Sequence, residues 1–376
     1  MEWRVPLADL DYGIEEEQAV LEVLRSKWLT MGAVTREFED AFSNLTGAIH
    51  AIAVSNATEA LHLACLALGI GPGDEVIVPS LSFVATANAA LYCGAEVRFA
   101  DVVGPENLTV DPGSIAQMIT PKTKAIIVMH YAGYPCRMVE IKALADQHNL
   151  PIIEDTAHAP GASLAGKALG TWGDIGCFSF FSNKNLPTGE GGMVITDRDD
   201  LAEKIRLQRS HGMTSLTYDR HKGHAFSYDV VDLGYNYRID EIRSALGLVQ
   251  LNKLKWNNEQ RRILTQNYWK GLKDLEVELP FSKIERSSPA YHIFPILLPE
   301  RVNREDFMRG LRDAGVQSSI HYRPIHTFSY YKDRYGENHL PITEAVARQE
   351  VTLPLFPTMT AEQQQIVIQK VRMLLQ

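Results

Sequence analysis

Cysteine is scarce in this sequence, and the few cysteines lie far apart. The 376 residues contain four of them, with no CxxC pair: Cys65, Cys93, Cys136 and Cys177. We therefore expect reduced thiols, with neither a disulfide framework nor a metal site. Long apolar runs are also missing, because no stretch reaches the ~18 residues that cross a membrane, and residues 1–17 lack the apolar core of a secretion signal. These absences favour a cytoplasmic protein.

Positive charge is in the minority. Lysine and arginine number 37 against 46 aspartate and glutamate residues, which gives a formal net charge of −9 at pH 7. This balance disfavours a nucleic-acid-binding surface but is compatible with a local basic pocket. With 45% hydrophobic and 22% charged residues, the composition is that of a folded globular protein. The length predicts one large domain and one smaller domain.

The chain up to Asp240 alternates between helical and strand-like hydrophobic patterns. Apolar residues three or four positions apart predict amphipathic helices at 15–28 and 35–45. Short apolar runs predict strands at 51–55, 75–80, 95–101, 124–130, 151–156, 175–180 and 192–197. Because helical segments separate most of these strands, we expect an α/β fold with a mostly parallel sheet and helices on both faces.

We place the domain boundary after residue 249, inside a long helical pattern that begins near Asp240. Residues 1–249 are expected to form the large domain, with a helical segment at its N-terminus. Residues 250–376 are expected to form a smaller α+β domain, with the long helix as the bridge. The stretch 214–230 is the longest irregular one, and such a loop is usually functional, although a plain surface excursion is an equal alternative.

Polar residues follow several of the predicted strands, at the edge where open α/β sheets bind their ligands. Ser55–Ala60 follow the strand 51–55, where Thr58 is a candidate N-cap and free N–H groups would suit a phosphate. An ordinary capped helix is the alternative. Asp155 closes the apolar run PIIED, where a partly desolvated carboxylate needs a cationic partner unless it simply caps the next helix.

Lys184 follows the strand 175–180 among small polar residues. Burial would lower the pKa of its amine and free it to form an imine, whereas a solvated loop lysine is the alternative. A phosphate-suited helix, a strand-end aspartate and a strand-end lysine together match the needs of pyridoxal 5′-phosphate (PLP). The helix would hold the phosphate, the carboxylate would keep the pyridine nitrogen protonated, and the lysine would form the imine. We therefore predict a PLP site.

Long motifs of this chain resemble the DegT/DnrJ/EryC1/StrS family of PLP-dependent sugar aminotransferases. The resemblance runs almost from end to end and includes SKWLTMG (26–32), VSNATEALHLA (54–64), GIGPGDEVIVPSLSFVATANA (69–89), PKTKAIIVMHYAGYP (121–135), IIEDTAHAPGA (152–162), GDIGCFSFFSNKNLPTGEGGMVITD (173–197), RSHGM (209–213), DLGYNYRIDEIRSALG (232–247) and HYRPIH (321–326). It implies PLP fold type I, the aspartate aminotransferase-like fold, with residues 1–249 as the PLP-binding domain.

The resemblance also implies roles for individual residues around the cofactor. Lys184 corresponds to the imine-forming lysine and proton shuttle, and Asp155 to the partner of the pyridinium nitrogen. Phe83 matches the aromatic that stacks on the cofactor ring, with core packing as the alternative. His158 lies near the cofactor's phenolic oxygen, with a purely structural hydrogen bond as the alternative. The implied phosphate cup consists of Thr58, Ser179 and the backbone at Ala57 and Glu59.

The resemblance further implies a symmetric dimer with shared active sites. Asn236 of GYNYR matches the residue that the neighbouring subunit lends to the cofactor pocket. By chain order this motif lies far from Thr58 and Lys184 of its own chain, and an ordinary turn residue is the alternative. The sugar-nucleotide side is implied at Thr30, Glu190, His211, Arg238, His321, Tyr322 and His326, although HYRPIH also reads as a strand and turn.

The implied reaction moves an amino group, commonly from glutamate and by way of pyridoxamine phosphate (PMP), onto a nucleotide-linked keto-sugar. Its product would serve a surface polysaccharide or a glycosylated compound. HYAGYP, SNAT and EDTAH are closer to members that aminate C4 than to those that aminate C3. A PMP-dependent sugar dehydratase is an alternative on the same fold, but those relatives have histidine in place of Lys184. A regulatory role is disfavoured, because the sequence shows no helix-turn-helix with a basic face.

Overall fold

The computed structural model describes residues 3–215, 227–284 and 287–376. Most of the irregular stretch 214–230 lies outside the described residues, so its expected functional role stays a prediction. The helices are α1 (Ile14–Ser26), α2 (Ala33–Thr46), α3 (Ala57–Ala67), α4 (Ala85–Tyr92), α5 (Pro112–Met118), α6 (Met138–His148), α7 (Asp199–Arg209), α8 (Glu241–Leu272), α9 (Arg304–Asp313), α10 (Ser329–Tyr335), α11 (Pro341–Gln349) and α12 (Ala361–Leu375).

The strands are β1 (His50–Val54), β2 (Glu75–Pro79), β3 (Glu96–Ala100), β4 (Val102–Gly104), β5 (Asn107–Val110), β6 (Thr123–Met129), β7 (Ile152–Asp155), β8 (Ser163–Leu164), β9 (Lys167–Ala168), β10 (Ile175–Ser179), β11 (Gly192–Thr196), β12 (Ser287–Ser288), β13 (Phe294–Leu297) and β14 (Glu350–Leu353). Each strand predicted from the sequence is present, as β1, β2, β3, β6, β7, β10 and β11. The short strands β4, β5, β8, β9 and β12 were not predicted, and neither was β14.

Seven strands form the central sheet, in the order β1-β11-β10-β7-β6-β2-β3. The neighbours from β10 to β3 pair in parallel, whereas β11 is antiparallel to both β1 and β10. The expected mostly parallel sheet is therefore confirmed. Because β11 runs against the other six strands, its amino end at Gly192 lies at the edge where those strands have their carboxyl ends.

Helices cover both faces of this sheet, because its strands are apolar on both sides. In β2, Val76 and Val78 belong to the apolar cluster that contains α3 and α4 residues such as Leu61. Ile77 points to the opposite face and packs with α6 residues such as Ile141. Side chains of a strand alternate between faces, so one apolar run supplies both cores.

The C-terminal part of the chain has an apolar cluster of its own. Tyr268 and Leu272 of α8 pack there with Phe294 of β13 and Val351 of β14, and α9 and α12 also contribute. The strands β13 and β14 pair antiparallel. The predicted boundary between residues 249 and 250 falls inside the continuous helix α8, which accords with its expected bridging role. The boundary itself stays a prediction.

Two features are absent from the described residues. None of the helices found there is long and apolar enough to cross a membrane. The same ranges hold no cluster of three or more histidine, cysteine, aspartate or glutamate side chains that could bind a metal ion.

Candidate active site

Lys184 lies in the turn after β10, close to the carboxyl edge of the sheet. Its backbone N–H donates to the carbonyl of Phe181 at 2.9 Å, which closes the turn. The side chain is half-buried and makes no hydrogen bond or ion pair with the described residues. Burial lowers the pKa of its amine to about 8, although the negative charge of Asp155 opposes this shift. Near pH 8 the amine is therefore partly neutral and free to react.

Asp155 ends β7 and is 4% exposed. Its Oδ2 accepts a hydrogen bond from the Thr86 hydroxyl at 2.7 Å, and its Oδ1 accepts one from the Ala157 N–H at 3.1 Å. Burial raises the pKa of this carboxyl, while these two hydrogen bonds and the positive charge of Lys184 oppose the rise. No ion pair to Asp155 occurs within the described residues. The carboxylate is thus held in place but lacks a contacting cation, which is the arrangement a protonated pyridine nitrogen requires.

The N-terminus of α3 begins directly after β1. The expectation that Thr58 caps this helix is wrong, because the N-cap is Asn56, whose Oδ1 accepts the Glu59 N–H at 2.9 Å. Asn56 has the extended backbone angles of an N-cap. Thr58 is already the second residue of the helix, and a cap lies just before the first one. The N–H groups of Ala57 and Thr58 make no hydrogen bond to the described residues. Such a terminus suits a phosphate oxygen.

The sheet places Ser179 beside this helix terminus. In the register of the sheet, Ser179 of β10 lies opposite Gly192 of β11, and Gly192 lies opposite Val54 of β1. A Cβ on Gly192 would come within 2.7 Å of the Asn56 carbonyl carbon, so only glycine allows the cup backbone to approach the sheet this closely. Ser179 is buried. The predicted cup residues are therefore neighbours in space.

Hydrogen bonds fix the tautomer of His158. Its Nδ1 lies 3.3 Å from the Ala132 N–H, and its Nε2 lies 2.9 Å from the Tyr322 hydroxyl oxygen. Because a backbone N–H can only donate, Nδ1 carries no hydrogen, and Nε2–H donates to Tyr322. Burial keeps the pKa of His158 well below its usual range, and the positive charge of Lys184 acts in the same direction. The neutral histidine leaves the Tyr322 hydroxyl hydrogen free for a ligand.

Aromatic rings line the open side of this cluster. The ring of Phe83 is 57% exposed and lies 6.3 Å from that of Tyr322, between ring centroids. This exposure argues against the core-packing alternative for Phe83 and leaves one face available for stacking. The His158 ring lies 4.2 Å from that of His292. The charge of Lys184 lowers the pKa values of His158 and His292, so these two rings lie near the lysine.

His321 joins the same cluster from the C-terminal part of the chain. Its Nδ1 lies 2.8 Å from the Thr352 hydroxyl, and its backbone N–H donates to Glu350 Oε2 at 2.7 Å. Burial lowers the pKa of His321 to about 4, and the positive charge of Lys184 contributes. The mutual electrostatic influence of these groups shows that the fold assembles Lys184, Asp155, His158, His321 and Tyr322 in one place.

Other predicted substrate residues lie apart from this cluster or at its rim. His326 is buried, with its Nδ1 2.6 Å from the Ser80 hydroxyl and its Nε2 3.6 Å from Glu344. The structure therefore places this ring in a separate polar network. Thr30, Glu190 and His211 are exposed.

The GYNYR segment lies next to the phosphate cup of its own chain. The Ser55 N–H donates to the carbonyl of Tyr237 at 3.1 Å, and Arg238 forms a bridge with Val54. The expectation that this motif is remote from the cup of its own chain is therefore wrong, because chain order does not report the return of the chain to β1. Asn236 itself is exposed.

Sequence reasoning missed several residues that support the site. Thr86 and Ser82, whose hydroxyls lie 2.6 Å apart, belong to a recognised motif but were not singled out. Asn185 directly follows the lysine, and its Oδ1 lies 2.9 Å from His292 Nδ1. Glu350 belongs to no motif. Its local signal is its place at the start of the apolar run EVTLPLF, but a glutamate is rarely fully buried, so this position does not single it out.

These residues fit PLP. The free N–H groups of α3 and the adjacent Ser179 suit its phosphate, and Asp155 suits its ring nitrogen. The unpaired amine of Lys184 lies within the electrostatic reach of Asp155, as imine formation and ring binding together require. Phe83 offers an exposed ring for stacking.

Comparison with known proteins agrees with this geometry. Residues 11–372 match the DegT/DnrJ/EryC1/StrS aminotransferase family. DesV from S. venezuelae, solved with a ketimine intermediate, is 34% identical, with a TM-score of 0.91 over 98% of both chains. The sugar aminotransferase CalS13 from Micromonospora echinospora is 30% identical, with a TM-score of 0.90 over 98% of this chain and 99% of that one.

Spr1654 from Streptococcus pneumoniae, solved in a PLP form and a PMP form, is 26% identical to this chain. Each form gives a TM-score of 0.91 and covers 100% of this chain and 98% of the other. The predicted cofactor and the predicted fold type I are thereby confirmed. The chain belongs to the DegT/DnrJ/EryC1/StrS aminotransferase family and is a PLP-dependent sugar aminotransferase.

Proposed function

We propose that this sugar aminotransferase takes its amino group from glutamate and delivers it to C4 of a nucleotide-linked keto-sugar. The observation that carries the proposal is the pair formed by Lys184, an amine with a lowered pKa, and Asp155, a buried carboxylate; within the described residues the amine is unpaired and the carboxylate contacts no cation. This pair supports amino transfer. The donor, the sugar carbon and the nucleotide are inferred from the sequence resemblance.

Lys184 supplies the proton transfers. PLP, when bound, provides an electron sink that makes the C–H bond next to the transferred nitrogen acidic. A lysine with a pKa of about 8 can accept a proton at Nζ and return it near neutral pH, because neither protonation state is far in energy from the other. Its half-buried position keeps this amine partly desolvated, which favours the neutral form.

Asp155 holds the positive charge of the cofactor ring. Two fixed hydrogen bonds, from Thr86 and Ala157, orient its oxygens so that the carboxylate does not have to reorganise during the reaction.

His158 and Tyr322 form a second polar pair, which faces the pocket. Because His158 Nε2–H donates to the Tyr322 oxygen, the Tyr322 hydroxyl is oriented to donate its own hydrogen into the pocket.

The proposed substrates are anionic, and the pocket offers donors for them. The α3 N–H groups serve the cofactor phosphate. Arg238 lies at the end of β1, and its Nη1 is buried without a partner in the described residues, so it is available for an anionic group. Burial also lowers the pKa of its guanidinium, which nevertheless stays charged at neutral pH. Thr30, Glu190 and His211 lie exposed and are proposed to meet the sugar nucleotide; His321 and Tyr322 do so from the cluster.

A panel of nucleotide-linked 3-keto and 4-keto sugars, each incubated with ¹⁵N-glutamate, tests this proposal. We expect ¹⁵N in a product of a 4-keto substrate, bonded to C4 in the NMR spectrum. Incorporation at C3 would replace the proposed carbon with the alternative. A deoxygenated product without ¹⁵N would instead identify a sugar dehydratase, which the presence of Lys184 in place of histidine disfavours.

We also propose that the enzyme is a symmetric dimer in which Asn236 completes the cofactor pocket of the partner subunit. Asn236 is exposed, and the segment before it carries large exposed apolar side chains: Val230, Val231 and Leu233, of which Leu233 is 76% exposed. Apolar side chains grouped in this way favour an interface. We further propose that the enzyme works in the cytoplasm and that its product is used for a surface polysaccharide or another glycosylated compound.

A further inference from the structure

Glu350, at the start of β14, is a buried carboxyl without an ionic partner in the described residues. It is 1% exposed. Its Oε2 accepts the His321 N–H at 2.7 Å, and its Oε1 lies 2.5 Å from the Thr352 hydroxyl oxygen. The nearby guanidinium of Arg304 donates instead to the backbone carbonyls of Ala347 and Glu350. A buried carboxyl in this situation holds a proton far more easily than one in water.

Thr352 connects this carboxyl to His321. Its hydroxyl oxygen lies 2.5 Å from Glu350 Oε1 and 2.8 Å from His321 Nδ1. A hydroxyl has a single hydrogen, so it donates to one of these neighbours and accepts from the other. The direction of the chain therefore depends on whether Glu350 Oε1 carries a hydrogen. His321 Nε2 makes no hydrogen bond to the described residues and is left for the pocket.

We propose that Glu350 is a positioning residue that decides, through the Thr352 hydroxyl, which ring nitrogen of His321 carries the hydrogen. When Glu350 is protonated, Oε1–H donates to Thr352, Thr352 donates to His321 Nδ1, and Nε2–H becomes a donor toward the pocket. When Glu350 is ionised, Thr352 donates to the carboxylate, Nδ1–H donates to Thr352, and Nε2 offers a lone pair. The proton stays within this chain of three residues and the solvent.

The surroundings favour the protonated state at neutral pH. Burial raises the pKa of Glu350 to about 8, although the hydrogen bonds from Thr352 and the His321 N–H, and the charge of Arg304, oppose the rise. Tyr131 and Tyr322 also face this carboxyl, and their pKa values are raised, so both stay neutral. From β13, the neighbour that faces Glu350 is apolar Leu297. His321, with a pKa of about 4, is neutral throughout.

The consequence concerns substrate binding and rests on the proposed function. At neutral pH His321 would offer an N–H donor to a carboxylate or phosphate oxygen of an anionic substrate. Above about pH 8 the same ring would offer a lone pair, which repels such an oxygen. The carboxyl would thus influence substrate binding from the second layer of side chains, without touching the substrate.

The test is the tautomer of His321 in the PLP-loaded enzyme, read by NMR from ¹⁵N-histidine and assigned with the variant His321→Asn. Spectra are recorded between about pH 6.5 and 9.5, a range that starts at the ordinary histidine pKa and brackets the raised pKa of Glu350. For wild type we expect Nε2–H at the acidic end and Nδ1–H at the alkaline end. Glu350→Gln should lock Nε2–H across the range, because its amide donates to Thr352 while its carbonyl accepts the His321 N–H.

Variants of the connecting hydroxyl and a remote glutamate complete the design. Thr352→Ser keeps the hydroxyl and should keep the switch, whereas Thr352→Val should abolish it. Glu344→Gln alters a glutamate beside His326 and should leave the His321 signals unchanged. KM for the anionic sugar substrate is expected to rise about tenfold at alkaline pH in wild type, the size of one lost hydrogen bond, and this rise should disappear in Glu350→Gln.

The same switch in Glu350→Gln as in wild type would overturn the proposal, as would Nδ1–H at every pH in wild type. The tautomer is measured without sugar substrate, so this result is separate from the proposed function. An enzyme with the expected switch but without amination of any sugar in the panel would retain the relay and lose the proposed substrate.

Discussion

Individual side chains in this enzyme take their chemical character from burial and from a few fixed hydrogen bonds. The amine of Lys184 has a pKa of about 8 because it is partly desolvated, and burial raises the pKa of Asp155. The charge of each group opposes the pKa shift that burial causes in the other. The neutral His158 owes its tautomer to one backbone N–H. Reactivity at this scale therefore depends on the environment of common residue types.

Lys184→Ala is expected to reduce turnover below detection while the protein stays folded, because this variant lacks the amine that forms the imine and moves the proton. Borohydride reduction of the PLP-loaded wild type, followed by mass spectrometry of peptides, should find the cofactor on Lys184. Lys204→Ala is the control, since Lys204 lies on α7 and donates to the carbonyl of Ala67. An adduct on Lys204 or Lys167 would refute the assignment.

Asp155→Asn is expected to retain PLP but to lower kcat at least ~100-fold, because the neutral amide no longer stabilises the protonated ring nitrogen. Stopped-flow absorbance after mixing with glutamate measures directly the half-reaction in which the amino group passes from the donor to the cofactor. Asp174→Asn, at a half-buried carboxylate outside the cluster, is the control. A near-normal rate in Asp155→Asn would mean that the carboxylate acts only through its hydrogen bonds to Thr86 and Ala157.

At the scale of elements, the ends of strands and helices create the site. Six strands of the central sheet end at one edge, and the antiparallel β11 brings Gly192 to the same edge. The lack of a side chain at Gly192 lets the start of α3 pack against the sheet. The Ala57 nitrogen, whose N–H makes no hydrogen bond to the described residues, is among the atoms nearest Gly192, so the proposed phosphate site lies at the turn that packs against the sheet.

Asn56→Ala tests the cap of α3. We expect a loss of about 1 kcal/mol in the free energy of unfolding, because the Glu59 N–H loses its acceptor, together with weaker PLP binding. The matched control is Asn303→Ala, which removes the N-cap of α9, where Asn303 accepts the Asp306 N–H at 3.0 Å. Both variants should be destabilised alike in thermal denaturation. If both also bound PLP as wild type does, α3 would not be part of the phosphate cup.

At the scale of the whole molecule, the exposed surface near the pocket supports the proposed dimer. Val230, Val231 and Leu233 are large apolar side chains that the described chain leaves open to solvent. Asn236 lies in the same region, three residues after Leu233. A second copy of the chain would cover these groups and place one Asn236 at each of two equivalent sites.

Subunit complementation tests this arrangement. Inactive Lys184→Ala chains are refolded together with Asn236→Trp chains. If the sites are composite, each heterodimer has one site with both changes and one with neither, so roughly half of the wild-type activity per heterodimer should return. Each variant refolded alone is the control. Confirmed heterodimers without recovered activity would show that each site is built from a single chain, and would leave the role of Lys184 unaffected.

The sequence by itself determined the fold class and the cofactor, and it singled out the proposed reactive pair. Hydrophobic periodicity located the seven strands of the central sheet, since each buries apolar side chains on both faces. Lys184 and Asp155 were recognised because each directly follows a buried strand, and the carboxyl ends of parallel strands meet at one edge. Such local patterns are legible in sequence, because the signal lies within a few consecutive residues.

The tertiary structure alone decided which residues support that pair. Thr86 is 69 residues from Asp155, and His158 is 164 residues from Tyr322. No local pattern encodes these contacts, because they depend on how the chain returns to the sheet. The error about GYNYR has the same cause, because that segment returns to β1 despite its distance along the chain. The error about the N-cap of α3 is local, because the backbone angles at Asn56 make this residue the cap. Glu350 gains its proposed role solely from the side chains packed around it.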